Sequence, residues 1–255
     1  MPNGIFYAIV ILESQQSVMS GVISSIRENL VSLGPANTFL YTLSRIVEAA
    51  TGRRCRLLKY YFVAQPVPSD LTTTALRASS TRIYFASPGM SIVEQFPRPS
   101  QIIAKRFADG AVCLVAERAE KLVGFIWIKP DSYCEDEVRC TYVLEPPETL
   151  AWDFDVYVAP EFRISRAFAQ LWAAAHRFLR ERGCEWTISR ISAFNANSLD
   201  SHKRLGIVRL ATGIFANIGP VQLAAFSCSP YLDLAISRSS APRVVFHAPN
   251  RQLDR

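Results

Sequence analysis

The sequence predicts an α/β fold: a mixed, mostly antiparallel central sheet flanked by helices, with a helical N-terminal extension. Three observations predict it. Val18, Val22, Ile23, Ile26 and Leu30 recur every three or four residues, a helical stripe. Two apolar runs, 111–116 and 122–128, flank the charged turn ERAEK, which reads as an antiparallel hairpin. An alternating run at 150–158 leads into an amphipathic helix and then a further strand, a unit whose two strands lie parallel through a right-handed crossover.

In order, the helical stripe ends at Leu33-Gly34-Pro35, and a second helix runs from an Asn37 cap to a stop at Gly52. RLLKYYFVAQPVP is strand-like and closes in prolines; TRIYFAS is a second short strand, and PSQIIAKRFADG a short helix ending at Gly110. After the hairpin, CTYVLEP is either a strand or a loop. In LAWDFDVYV, alternation puts Trp152, Phe154, Val156 and Val158 on one face, with Asp153, Asp155 and Tyr157 on the other. The helix that follows spans about 164–182, buries Phe168, Leu171, Trp172, Ala175 and Leu179, and stops at Gly183. EWTISRISA is a strand, the stretch from Asn197 to Gly206 a short helix, and IVRLATGIFANI pairs with PVQLAAFSC. These boundaries divide the chain into a helical extension over 1–53, an α/β domain over 54–235 and a poorly ordered basic tail over 236–255.

Composition narrows the chemistry. A net charge of +6 and a pI near 9.1 favour acidic ligands, but the basic residues are scattered, which argues against nucleic acid. Six cysteines form no C-x-x-C pair and only three histidines occur, so no metal is expected and a reducing, cytoplasmic setting is. The apolar start IFYAIVIL is eight residues long with no basic residue before it, too short for a membrane span and unlike a signal peptide. There is no G-x-S-x-G, no P-loop and no dinucleotide-binding glycine pattern.

Four pieces, in order, resemble the GNAT acyltransferase superfamily: GAVCLVAERAEKLVGFIWI, DFDVYVAPEFR, LRERGCEWTISRISAFN and NSLDSHKRLGI. The likeness is good over about 105–230, loose over 54–105, and excludes 1–53. It implies transfer of an acyl group from coenzyme A or acyl carrier protein to an amine. It also implies a slot between 152–158 and 186–192 where the two parallel strands part to take the pantetheine arm. A helix N-terminus beyond the first strand would receive the phosphates. The resemblance assigns cofactor contacts to Val156, Tyr157, Val158, Arg163, Ile164, Ser165, Arg166, Ala167, Phe168, Asn195 and Asn197. Acetyl-CoA, or a longer acyl-CoA, is the expected co-substrate.

The chain departs from the family at two points. The family's R/Q-x-x-G-x-G/A turn keeps its first Arg as Arg163, but Arg166 and Phe168 fill the glycine positions. Glycine lets phosphate approach the backbone closely; here Arg166 offers side-chain contacts instead. His202 replaces the family Tyr and is expected to protonate the leaving thiolate. Asp155 is the first choice of base and Asp153 the second, their like charges raising one pKa. Glu161 offsets the helix dipole, and Ser165 and Ser198 are helix-start hydroxyls. Aromatic-rich KYYFVAQ, RIYFAS and GFIWI read as core, or as a tunnel for a long acyl chain. Expected partners are an amine-bearing small molecule, amino sugar or lipid, an acyl carrier protein, and the inner face of a membrane. The competing reading is a non-catalytic GNAT-like binding module that has lost normal coenzyme A binding.

Overall fold

The computed structural model describes residues 24–69, 80–163, 165–237 and 239–249. The apolar start, most of the first helical stripe, Ile164 and the last six residues lie outside them.

Residues 24–33 form helix α1; Gly34, at φ 76°, breaks it in the left-handed region that glycine tolerates, and α2 follows over Pro35–Ala50. Pro35 opens α2, a position where its missing N–H costs nothing. The expected Asn37 cap is therefore not one. Its amide donates to Leu33 O (3.1 Å) and Tyr61 Oη (2.9 Å) and accepts from Lys59 (2.8 Å), tying α2 to the next strand.

That strand, β1 (Cys55–Pro66), enters the middle of a nine-stranded sheet. The others are β2 (Arg82–Ala86), β3 (Val112–Arg118), β4 (Lys121–Lys129), β7 (Leu150–Val158), β8 (Trp186–Ser192), β9 (Val208–Ile218), β10 (Val221–Phe226) and β11 (Leu232–Ala235). The order is β11-β10-β9-β1-β8-β7-β4-β3-β2, with β1 antiparallel to both β8 and β9. The expected hairpin is β3–β4, and β9 pairs with β10. Helices α3 (Ser91–Glu94) and α4 (Ser100–Ala108) cover one face together with a small sheet. Helix α5 (Ala167–Glu181) covers the other, and α6 (Ala196–Lys203) follows β8.

The small sheet holds β5 (Ser132–Cys134), β6 (Thr141–Glu145) and β12 (Arg243–His247) in the order β12-β6-β5. CTYVLEP is thus a strand. The tail differs from the poorly ordered segment expected: β12 runs parallel to β6 and buries Val244 and Phe246. Phe246 lies 4.8 Å from the Phe62 ring and 6.0 Å from Tyr142, so the Ser- and Arg-rich stretch before β12 only delivers two core residues. Tyr60, Phe62, Phe125 and Trp127 are likewise buried in this core and Tyr84 packs against it, so packing accounts for most of the aromatic-rich segments, while Phe85 of RIYFAS is exposed.

Candidate active site

Strands β7 and β8 pair in parallel only over Leu150↔Trp186, Ala151↔Thr187 and Trp152↔Ile188. From Asp153 and Ser189 onward they part, so the slot opens just beyond the first residues of the range expected for it. It holds a cleft of about 570 Å³, within the range of small-molecule sites.

A β-bulge shapes one wall. Trp127 faces Phe154 and Phe125 faces Tyr157, so Asp155 and Val156 together oppose Ile126. Asp155 takes a φ of 48°, the left-handed conformation that lets two residues occupy one place in the ladder. The extra residue reverses the alternation. Trp152, Phe154 and Tyr157 side with the α4-facing core, while Val156 and Val158 pack toward α5. The sequence expectation that Val156 and Val158 share the Trp152 face is corrected by this bulge. So is the expectation that Asp153 and Asp155 share a face. Gly124 permits the bulge: a Cβ there would overlap the Tyr157 carbonyl oxygen and stand 3.3 Å from Val158 Cα.

The two aspartates therefore have different environments. Asp155 accepts from Arg98 Nε (2.9 Å), from Arg98 Nη2 and from Arg106 Nη1 (2.5 Å). Arg106 also reaches Asp136 (3.0 Å), and its guanidinium lies 5.1 Å from the Phe154 ring. With its oxygens engaged by two guanidinia, Asp155 is poorly placed to take a proton, contrary to its ranking as first choice of base. Asp153 is 1% exposed on the α5 side, and its Oδ1 makes no hydrogen bond. Burial pushes its carboxyl up to about 7, with the Thr187 and Ser189 hydroxyls pulling the other way. The cause is desolvation, not repulsion by Asp155 as expected.

His202, from α6, is buried at the cleft edge, with Phe168 and Trp172 each 5.9 Å from its ring. Its Nδ1 lies 2.8 Å from the Ser198 carbonyl, which can only accept, so Nδ1 carries the proton. Burial lowers the imidazole pKa, against the pull of that carbonyl. The neutral ring then presents Nε2 as an acceptor and has no second proton to give, which differs from the acid role expected of it.

The cofactor turn runs through a 3₁₀ turn at Pro160–Phe162 into α5, which begins at Ala167 rather than about 164. Val156, Tyr157, Val158, Arg163 and Phe168 line the cleft. Phe168 both narrows it and packs on Trp172. Ser165, Arg166 and Ala167 do not line it, and Ile164 lies outside the described residues. The Ser165 hydroxyl donates to Phe162 O and accepts from the Ala167 N–H (3.1 Å), so it occupies one amide that a phosphate would use. Asn195 and Asn197 border the cleft from α6. Asn195 caps that helix by accepting from the Ser198 N–H (3.1 Å), so Ser198 is not the helix-start hydroxyl.

Arg190 was missed. It lines the cleft from β8, stacks 4.2 Å over Tyr60, and is bound by Glu135 and Glu137. The signal was present: it continues the Trp186, Ile188 phase, a charge where the strand is apolar.

A family model described as Acetyltransferase (GNAT) family matches residues 77–207, half of the chain. The chain belongs to the GNAT acetyltransferase family. Solved structures with a similar fold include a conserved protein of unknown function from Staphylococcus epidermidis: 12% identical, covering 67% of this chain and 64% of that one, TM-score 0.42. Others are a putative GNAT acetyltransferase from Novosphingobium aromaticivorans (16%, 62% and 63%, 0.42) and a GNAT acetyltransferase from Elizabethkingia anophelis with acetyl-CoA bound (10%, 50% and 75%, 0.38). The chain thus spans less than two thirds of the first of these structures. No curated protein matches the sequence. Among the described residues, no helix of this GNAT protein is long and apolar enough to cross a membrane.

Proposed function

We propose that this GNAT protein transfers a short acyl group from an acyl-CoA to an amine, with Asp153 as proton acceptor. The observation that carries the reading is the parting of β7 and β8 beside a buried, uncompensated carboxyl. The pantetheine arm fits the cleft, held by the released backbone of Val156–Val158. Arg163 reaches the phosphate end, assisted by whichever α5 amides Ser165 leaves free. The Asp153 carboxylate, directly or through water, takes a proton from the acceptor's ammonium; the neutral amine attacks the thioester carbonyl and the C–S bond breaks. The Asp153 acid returns a proton to the leaving thiolate, while the amide nitrogen loses its own to solvent. A pKa near 7 suits both halves of that exchange. A short acyl group is favoured because Tyr60, Phe62, Phe125 and Trp127, most of the aromatics that suggested a tunnel, are core residues.

Amino sugars, lipid amines, acyl carrier protein as donor and contact with a membrane face remain proposals about partners, carried by the family likeness and the basic charge. The binding-module reading is favoured by the Ser165 hydroxyl on the Ala167 amide and by the absent glycines. Thermal shift and calorimetry with acetyl-CoA, long-chain acyl-CoA and free coenzyme A test both. Stabilisation by acetyl-CoA supports the short-acyl reading. A response to long-chain donors alone replaces it with a lipid version, and no response to any thioester leaves the binding module.

A further inference from the structure

Buried polar atoms in folded proteins almost always have partners, so those without one need a physical explanation. Among the described residues, four such atoms gather at the root of the slot: Gln65 Oε1, Asp153 Oδ1, Trp172 Nε1 and Thr187 Oγ1. A chain of contacts links them. Gln65 faces Thr187 across the β1–β8 ladder. The Thr187 hydroxyl lies near the Asp153 carboxyl and favours its charged form, without the geometry of a full hydrogen bond. The Gln65 amide nitrogen lies 3.0 Å from His176 Nε2, and the His176 ring is 5.3 Å from that of Trp172. All are buried beneath α5, and Asp153 alone of the four also lines the cleft.

The four atoms are chemically complementary to one kind of guest. The Trp172 N–H and the Thr187 hydroxyl donate; the Asp153 and Gln65 oxygens accept. Water donates two hydrogen bonds and accepts two, and a buried water typically takes two to four such partners. Asp153 and Ser189 are the first residues beyond the paired stretch and both line the cleft, so water from the cleft reaches the carboxyl at the root of the slot.

We propose that this polar space is a built site for ordered water, and that Gln65, Thr187 and Trp172 act through that water as positioning residues for the Asp153 carboxyl. His176 fixes Gln65: the amide N–H donates to His176 Nε2, which turns Gln65 Oε1 toward the site. The hydroxyls of Thr187 and Ser189 from β8 act on Asp153 directly; Gln65 of β1 faces Thr187, and His176 and Trp172 of α5 and then His202 of α6 follow it in a chain of amide and ring contacts. None of these groups carries a positive charge, so the carboxylate is stabilised by the two hydroxyls and by water alone. The role of the water in transfer rests on the reading of Asp153 as proton acceptor; the water site itself does not.

The test is a crystal structure of the full chain at a resolution that places waters, with NMR titration of carboxyl and imidazole groups in wild type, Thr187→Val and Trp172→Phe. The expected result is a water within hydrogen-bond distance of Asp153 Oδ1 and of at least one of the other three atoms. Thr187→Val then raises the midpoint of Asp153 by on the order of one pH unit, because the charged form loses a supported donor. In a transfer assay the same variant moves the pH profile and leaves KM for the thioester unchanged. Trp172→Phe, which keeps the ring, gives a smaller shift of the same sign and serves if the valine variant does not fold. A dry site in which the side chains bond one another, or an Asp153 midpoint that neither variant moves, overturns the proposal. A chain that holds the water but binds no thioester keeps this inference and loses the acyltransfer reading, so the two failures are distinguishable.

Discussion

If Asp155 is a structural pin and not a base, removing its carboxylate should cost stability in a way that depends on backbone conformation. Asp155 sits at φ 48° and is 12% exposed at its side chain. It binds Arg98 and Arg106, and Arg106 is itself only 9% exposed at its side chain. Substitution breaks hydrogen bonds to charged groups, each worth roughly 1.5–3 kcal/mol. Arg106 keeps Asp136 and Arg98 turns toward solvent, so the net loss should be about 2–3 kcal/mol. Alanine adds roughly 1 kcal/mol more, because a Cβ resists the left-handed conformation and lacks the local hydrogen bonding of Asp. Glycine escapes that term. Asp155→Gly should therefore be more stable than Asp155→Ala by about 1 kcal/mol, the reverse of the usual order within a strand. At roughly 2–4 °C per kcal/mol for a chain of this size, the glycine variant should melt about 4–12 °C and the alanine variant about 6–16 °C below wild type. Urea unfolding followed by the fluorescence of the four tryptophans measures both differences. An alanine variant as stable as the glycine variant would refute the pin. So would an Asp155→Asn enzyme with wild-type stability and lost turnover, which would restore Asp155 as base.

Asp153→Asn should change how stability depends on pH. The folded carboxyl titrates near 7 against about 3.9 unfolded. The folded state holds its proton more tightly, so this stabilisation is present below about pH 4 and is lost as pH rises to 7, by about 4 kcal/mol at most. The Asn variant should come nearest to wild type below about pH 4 and exceed it increasingly from about pH 5 to pH 8 in urea midpoint; a parallel pH dependence would show that Asp153 is not buried as described. Gly124→Ala should destabilise by about 1–3 kcal/mol, because the obstructing atoms are backbone; an unchanged midpoint would mean the strands are not this close. Phe246→Ala should cost roughly 3–5 kcal/mol, and a loss below 1 kcal/mol would mean that β12 is not docked on the core.

The local elements were legible because their signals are local. The β3–β4 hairpin, the β7–α5–β8 unit and the β9–β10 pair follow from periodicity and turn residues, and their order carried the family likeness. What the sequence hid were choices of partner. Nothing in KYYFVAQ specifies that β1 lies between β8 and β9, since a strand buried on both faces reads as a continuous apolar run wherever it sits. RVVFH looked like tail because five residues give too short a pattern to outweigh the Ser, Pro and Arg before them. The bulge was hidden because it is an agreement between two strands. Gly124 hinted at close approach, but only the partner strand shows that Asp155 absorbs the extra residue. One residue of slippage changes the face of every side chain beyond it, and that is why the two aspartates were placed together.

The same displacement bears on how the site departs from its family. A turn built on glycines binds phosphate with backbone amides, which are fixed and uncharged. Here the turn spends the Ala167 amide on Ser165 and fills the glycine positions with Arg166 and Phe168. Phe168 is held against Trp172 and His202, so the wall of the cleft that glycine would leave open is tied to the same packed set that surrounds the water site. On the proposed reading, phosphate binding then falls to Arg163, the arginine of this turn that lines the cleft, whose side chain is flexible and screened by salt. Coenzyme A affinity should accordingly be weak and fall steeply with ionic strength, while the pantetheine slot, formed by strand separation and not by the turn, is unaffected. A donor presented by a carrier protein would need the slot and little of the turn, so the substitutions weigh on how the thioester is delivered more than on whether the cleft can use one.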